Sequence, residues 1–239
     1  MKQITALLTL LLALAFAISP ALTSPFTGFT EDQLPVPQID PPVQPAGYAF
    51  AVWGLLYAWL IVSGVYGVWK RREAEDWHRA RLPLIGSLAI GVPWLAIANA
   101  SAIWATVTII GMAVFAIAAL LRAPRRDRWW FQAPTALYAG WLTAASCVSL
   151  GSTLAGYAVA FDAYGWALIC ITLAALVAGS IYLRRPEAPE YLATVIWALI
   201  GIIVANGLGL PVVSGLAALG AVVLLGLAIR RTRPLAATA

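Results

Sequence analysis

Residues 45–72 read PAGYAFAVWGLLYAWLIVSGVYGVWKRR. Positions 46–69 carry no charge, and Lys70, Arg71 and Arg72 follow in succession. As a helix rising about 1.5 Å per residue, the run is about 36 Å long, enough to cross a hydrocarbon core of about 30 Å. The basic triplet marks where it leaves the lipid. Composition extends this reading to the whole chain of 239 residues, which is 62% hydrophobic and 10% charged, with a mean hydropathy of +0.86. Soluble domains carry about 25% charged residues, so an ordinary globular fold is excluded.

The same unit recurs on both sides. Residues 24–45 (SPFTGFTEDQLPVPQIDPPVQP) are polar and too rich in proline to be helical throughout, and an apolar stretch at 4–21 precedes them. That stretch is short enough to resemble a cleaved signal peptide, but is read here as a retained helix. Downstream, KRREAEDWHRAR (70–81) reads as a charged loop. The uncharged run 82–121 is too long for one span and suits two, with a turn near 98–101 around Asn99. RAPRRDR (122–128) precedes a fifth span at 129–150, then a short loop at 151–162 and a sixth span at 163–183 closed by Arg184 and Arg185. Residues 191–229 hold two more, divided by the turn residues of NGLGLP (206–211). The expected fold is an all-α, polytopic membrane bundle of about eight transmembrane helices.

Charge supports this count. With the N-terminus in the cytoplasm, all 15 Lys and Arg fall on one side, while the other carries Glu31, Asp32, Asp40 and Asp162. Adding or removing one internal helix would scramble that asymmetry, against the positive-inside rule. The net charge of +5 therefore reflects topology and not nucleic-acid binding. The expected location is the cell (inner) membrane with both termini cytoplasmic.

The spans contain no deep Asp, Glu, Lys, Arg or His, which counts against proton pumps and proton-coupled carriers. Without a buried lysine there is no site for a retinal Schiff base. His78, the only histidine, reads as a solvated loop residue and Met112 stands alone, so a haem would lack axial ligands. Cys147 and Cys170 lie in apolar runs and read as small buried hydrophobes, not as a disulfide framework or zinc ligands. Catalytic Ser/His/Asp sets, Asp-rich magnesium sites and phosphate-cradling glycine loops are missing. No catalytic residue and no metal site is expected, and the chain is read as not an enzyme.

The aromatic residues divide into two groups. Trp69, Trp77, Trp129, Trp130 and Tyr182 suit an interfacial belt at the basic side, and Tyr48, Tyr157, Tyr164 and Trp166 one at the other. Trp53, Tyr57, Trp59, Trp94, Tyr138, Trp141 and Trp197 lie deep within spans. A deep indole N–H needs a partner, for which Ser63, Asn99, Ser146 and Ser149 are candidates. Such a set lines a cavity for a flat apolar molecule or serves helix packing. Small residues in the last two spans (Gly201, Ala205 and Gly209; Ser214 and Ala218, with Ala217 and Ala221 beside them) read as packing faces, within that hairpin or across a homodimer.

PAGYAFAVWGLLY (45–57), after Pro41-Pro42, resembles the signature P-P-x-W-V-F-x-P-V-W-T-x-L-Y of the tryptophan-rich sensory / translocator protein family (TspO/MBR). Phe50, Val52, Trp53, Leu56 and Tyr57 match; the stretch is one residue shorter and lacks the inner proline. PTALYAGWLTAAS (134–146) resembles that family's fifth-helix pattern P-Y-x-L-W-x-x-F-A-x-x-L-N, with Trp141 at the Phe position and Ser146 at the terminal Asn. Trp94 corresponds to the tryptophan of N-x-x-W in the third helix, with Gly91 in place of the Asn. The resemblance covers residues 1–155, a five-helix membrane domain with 24–45 as an extracytoplasmic lid; 156–239 form a three-helix extension.

The resemblance implies an intramembrane pocket for a non-covalent tetrapyrrole (porphyrin), sterol or isoprenoid, lined by Trp53, Tyr57, Trp94, Tyr138, Trp141 and Ser146. A receptor or sensor for such a ligand is the leading expectation. A transporter of a small hydrophobic solute is the alternative, and an enzyme acting on the bound pigment ranks last. The expected partners are membrane lipid and the small molecule, with no nucleic acid.

Overall fold

The structure, a computed structural model, describes residues 1–232, with side chains to Arg230. The side chains of Arg231 and Arg233, counted above, lie outside the described residues, as does the end of the extension. Eight α-helices follow in order: α1 Lys2–Ile18, α2 Val52–Lys70, α3 Glu75–Ala100, α4 Ala102–Arg122, α5 Ala133–Gly156, α6 Ala163–Arg184, α7 Pro189–Asn206 and α8 Pro211–Thr232. Among the described residues there is no strand, and all helices but α5 are long and apolar enough to cross a membrane.

Local chemistry sets the boundaries. α3 and α4 are separated by Ser101 alone, whose extended backbone breaks the helix and whose hydroxyl accepts from the Trp104 amide. Asp162 caps α6 through the Gly165 amide, at 2.8 Å. α7 and α8 each begin on proline, which loses no helical hydrogen bond at that position. Gly207, with φ +49°, turns the chain out of α7.

α5 escapes the apolar criterion because it barely meets lipid. Every residue from 131 to 144 is buried, and the helix packs against α2, α4, α6 and α7. Its hydroxyls bond across to these neighbours, as lipid cannot satisfy them. Thr106 of α4 lies 2.6 Å from the Ser149 hydroxyl and 2.7 Å from that of Thr153. Thr143 meets the Tyr191 hydroxyl at 2.8 Å, and Thr194 donates to the Leu137 carbonyl at 3.0 Å. α5 and α7 cross at Gly140: a Cβ there would stand 2.2 Å from the Tyr191 carbonyl oxygen and 2.3 Å from the Thr194 hydroxyl.

All of the ion pairs among the described residues gather at one end, the basic end, where the α2–α3, α4–α5 and α6–α7 connections meet. Asp127 is its centre. Arg71 holds it with two bonds, at 2.8 and 3.1 Å, and the Trp77 indole N–H donates to it at 2.7 Å. Arg185 donates to the Leu121 and Ala123 carbonyls and to Gln132, while Arg128 pairs with Glu190. The turn Arg128–Gln132, π-helical, points Phe131 inward and leaves Trp129 and Trp130 exposed.

Several expectations change at this end. α3 begins at Glu75, inside the stretch read as a loop, with Glu75 and Asp76 in its first turn, where the helix dipole favours acids. Trp77 therefore turns inward and is buried, as is Tyr182, so neither belongs to the belt. Arg81 is also buried, donating to the Arg71 and Gly67 carbonyls within two turns of the helix start. His78 sits on α3, half-buried, 2.9 Å from the Thr5 hydroxyl, and is not a solvated loop residue. α5 runs on to Gly156, six residues beyond the expected span. Gly209 lies in the turn after α7 and not on its face.

Gly140→Ala should force α5 and α7 apart and cost about 2–3 kcal/mol or more. Gly215→Ala, where nothing lies within 4 Å of the added carbon, should lose no stability and gain up to about 1 kcal/mol from helix propensity. Thermal unfolding in detergent compares them, and equal losses would dissolve the crossing argument. Asp127 gives a second test. Burial disfavours its charged form, but the Arg71 and Trp77 bonds outweigh that and hold its carboxyl below the ordinary carboxylate value. The clamp's contribution is thus full above pH 4 and lost only as pH falls through that lowered value. Asp127→Ala should cost about 2–3 kcal/mol at neutral pH, discounted for the partial exposure of Arg71, and flatten the acid limb of the stability profile.

Candidate functional site

At the opposite end, 19–51 fold across the helix ends as a lid. Prolines and short 3₁₀ turns keep it compact: Ser19–Ala21, Glu31–Gln33 and Gly47–Ala51. Its attachments lie around the rim. The Asn99 side chain donates to the Ser24 carbonyl at 3.0 Å, and Gln33 donates to the Ala98 carbonyl at 2.8 Å. Leu34 is buried against Gly156, where a Cβ would approach it to 2.7 Å, and the Val36 amide bonds to the Gly156 carbonyl at 2.9 Å.

The last part of the lid lies on α7. The Ala46 amide bonds to the Gly201 carbonyl at 3.0 Å, Trp197 Nε1 donates to the Ala49 carbonyl at 2.9 Å, and Asn206 donates to the Pro42 carbonyl at 2.9 Å. Gly201 allows the approach, since a Cβ there would come within 2.8 Å of Pro45 and 3.0 Å of Ala49. Gly201 therefore receives the lid. Trp197 is partly exposed, edge-on to Tyr48 at 5.4 Å.

Beneath the lid lies an apolar cavity of about 70 Å³. Phe26, Phe29, Pro41, Gln44, Pro45 and Phe50 cover it, and Trp94, Trp141, Ala145, Val148, Ser149 and Ala198 are among the helix residues that line it. Pockets for drug-sized ligands span about 300–1,000 Å³, so this one is too small for such a ligand in the present conformation. A cleft of about 540 Å³ adjoins it and reaches Asp40 and Asn206. The two share Phe26, Pro41, Gln44, Pro45 and Phe50, which form the layer where they adjoin.

Of the six residues proposed from the sequence, Trp94 and Trp141 line the cavity. The others pack beside it. Trp53 and Tyr57 stack at 5.4 Å, and Phe16 stands edge-on to both, at 5.7 and 5.1 Å, and to Tyr138 at 5.9 Å. Trp53 lies 6.2 Å from Trp141, backing the wall. Tyr138 is buried, with its hydroxyl 3.0 Å from Ser87; Ser87 donates to the Met112 carbonyl, leaving Tyr138 as donor in that pair. Ser146 donates to the Ile109 carbonyl at 3.2 Å. Of the other deep tryptophans, Trp59 donates to the Trp129 carbonyl.

Sequence reasoning missed Phe26, Phe29, Gln38, Gln44 and Ala198, all of which line the cavity. The two phenylalanines, paired in SPFTGF, were a legible signal: large apolar residues in a polar, Pro-rich loop need somewhere to go. Phe26 finds Trp94, edge-on at 5.4 Å.

Trp94 and Trp141 differ in one chemical respect. The Trp94 indole N–H is satisfied by the Ala105 carbonyl at 3.1 Å. Trp141 is 2% exposed, and its Nε1 has no hydrogen-bond partner among the described residues. A buried donor left unpaired costs about 1–3 kcal/mol. The site thus offers apolar surface and aromatic faces, with Gln38, Gln44, Ser149 and Ser152 as polar groups on the wall.

The family model described as TSPO-like protein matches residues 3–230, nearly the whole chain and both sides of the division at 155. No curated protein and no solved structure matches it.

Proposed function

The chain belongs to the TSPO-like protein family, and on that premise we propose that it is a receptor-like protein for a flat hydrophobic ligand bearing a hydrogen-bond acceptor. It is an integral membrane protein of TspO type, as the family and the apolar helices agree. A tetrapyrrole is the favoured ligand, with a sterol or isoprenoid as the other candidates. The observation that carries this reading is the lidded, apolar cavity walled by Trp94 and Trp141, the second of which also has a buried indole N–H without a partner among the described residues. A ligand acceptor would remove its desolvation cost, and apolar burial would add about 25 cal/mol per Å² before ordering costs. The ligand is held without covalent attachment and without turnover.

Since the cavity is too small for such a ligand as it stands, binding requires the lid to yield. The prolines of 24–45 restrict its alternative conformations, which lowers the entropy cost of ordering it again over a ligand. A transporter would have to open the basic end as well, where the Asp127 cluster and Arg185 tie three connections together. That favours a receptor. The positive-inside rule assigns the basic end and both termini to the cytoplasm, and the lid to the outer face of the inner membrane.

Trp141→Phe separates the two roles of the ring. It keeps an aromatic ring and deletes the donor, so relief of the unpaired N–H offsets part of the cost of the lost volume, and the unliganded protein should lose no more than about 1–2 kcal/mol. Affinity for protoporphyrin IX, followed by its absorbance in detergent, should fall about five- to tenfold. The Trp53→Ala/Trp141→Ala variant should lose binding altogether. Porphyrin affinity that is indifferent to both variants would remove the proposed pocket, and a parallel sterol and isoprenoid panel identifies the ligand class.

A further inference from the structure

We propose that α7 positions the lid, with Trp197, Gly201 and Asn206 as positioning residues that set how readily the cavity opens. The inference rests on reading the cavity as a ligand site. α7 lies beyond the five helices that the sequence motifs cover, yet it contributes Ala198 to the cavity wall. Its more consequential contacts are with the lid. Three hydrogen bonds at successive turns tie Ala49, Ala46 and Pro42 to Trp197, Gly201 and Asn206. The bonds run in order along the last turns of α7, with Ala49 held at 197, Ala46 at 201 and Pro42 at 206, so residues 42–49 follow the helix end as a strap.

The strap carries the gate. Pro45 belongs to the layer between cavity and cleft, and Phe50 follows Ala49 directly. Phe50 stands edge-on to Trp141 at 5.8 Å. The Trp197 bond to Ala49 thus fixes the 3₁₀ turn Gly47–Ala51 that aims Phe50 at the cavity. Gly201 is required for a steric reason, because any side chain there would push Pro45 and Ala49 outward. Asn206 fastens the start of the strap beside Pro41, another member of the dividing layer. Releasing these attachments frees Pro41, Pro45 and Phe50 together.

The test reads access to the cavity without a ligand. In a Cys147→Ala/Cys170→Ala background, Ala145→Cys places a thiol at the cavity wall, and Ala116→Cys places one at a buried position on α4 outside it. Labelling by a water-soluble maleimide is timed in nanodiscs, with and without Trp197→Phe/Asn206→Ala. Removing two neutral hydrogen bonds should raise the Ala145→Cys rate about tenfold while the Ala116→Cys rate and the melting temperature hold. Gly201→Val should raise it as well, by steric displacement. Unchanged labelling in both variants, or equal acceleration at both thiols, overturns the proposal. Protoporphyrin IX exchange is measured beside it. Faster labelling without porphyrin binding retains the role of α7 and removes only the ligand assignment; porphyrin binding with unchanged labelling does the reverse.

Discussion

The close crossing of α5 and α7 at Gly140 is the constraint on which the rest of the bundle depends. With no side chain at that point, the α7 backbone comes into contact with α5, and Thr194 can reach the Leu137 carbonyl. α5 is then enclosed on all sides, which permits its serines and threonines, and their pairing with α4 permits the tight hairpin around Ser101. It also brings α7 to the cavity, so Ala198 joins the wall and the lid finds an acceptor and two donors on the same helix. A bundle without this contact would have neither the strap nor an enclosed Trp141.

The helices were legible because lipid imposes a simple rule: charges end spans. The charged clusters at 70–81, 122–128 and 184–190, with the turn residues at 206–211, mark the interruptions. The rule says nothing about buried ion pairs at the ends themselves. Asp127 and Trp77 are 50 residues apart, and only the fold shows that one satisfies the other. Trp77 therefore looked like an interfacial anchor. Residue type was right and position was not.

The site was legible in part for a similar reason. Depth along a helix can be counted from its charged end, so Trp94 and Trp141 stand out, but the direction of a side chain around the axis depends on neighbours. Tyr57, Tyr138 and Ser146 are as deep and are spent on packing or on carbonyls. Phe16 joins three of the aromatic residues yet sits in a first apolar run whose composition carried no such hint. The lid residues were unreadable individually, because a Pro-rich loop has no periodicity from which to assign an inward face.

The hydroxyls around α5 fall into separate groups. Thr106, Ser149 and Thr153 form one closed group, Ser87 and Tyr138 a second that ends on the Met112 carbonyl, and Thr143 with Tyr191 a third. Each is a local knot that joins α5 to one neighbouring helix. Protons relay along continuous wires of donors and acceptors, which these knots do not form. Among the described residues, these hydroxyls thus tie helix to helix pair by pair and do not join into one path through the bundle.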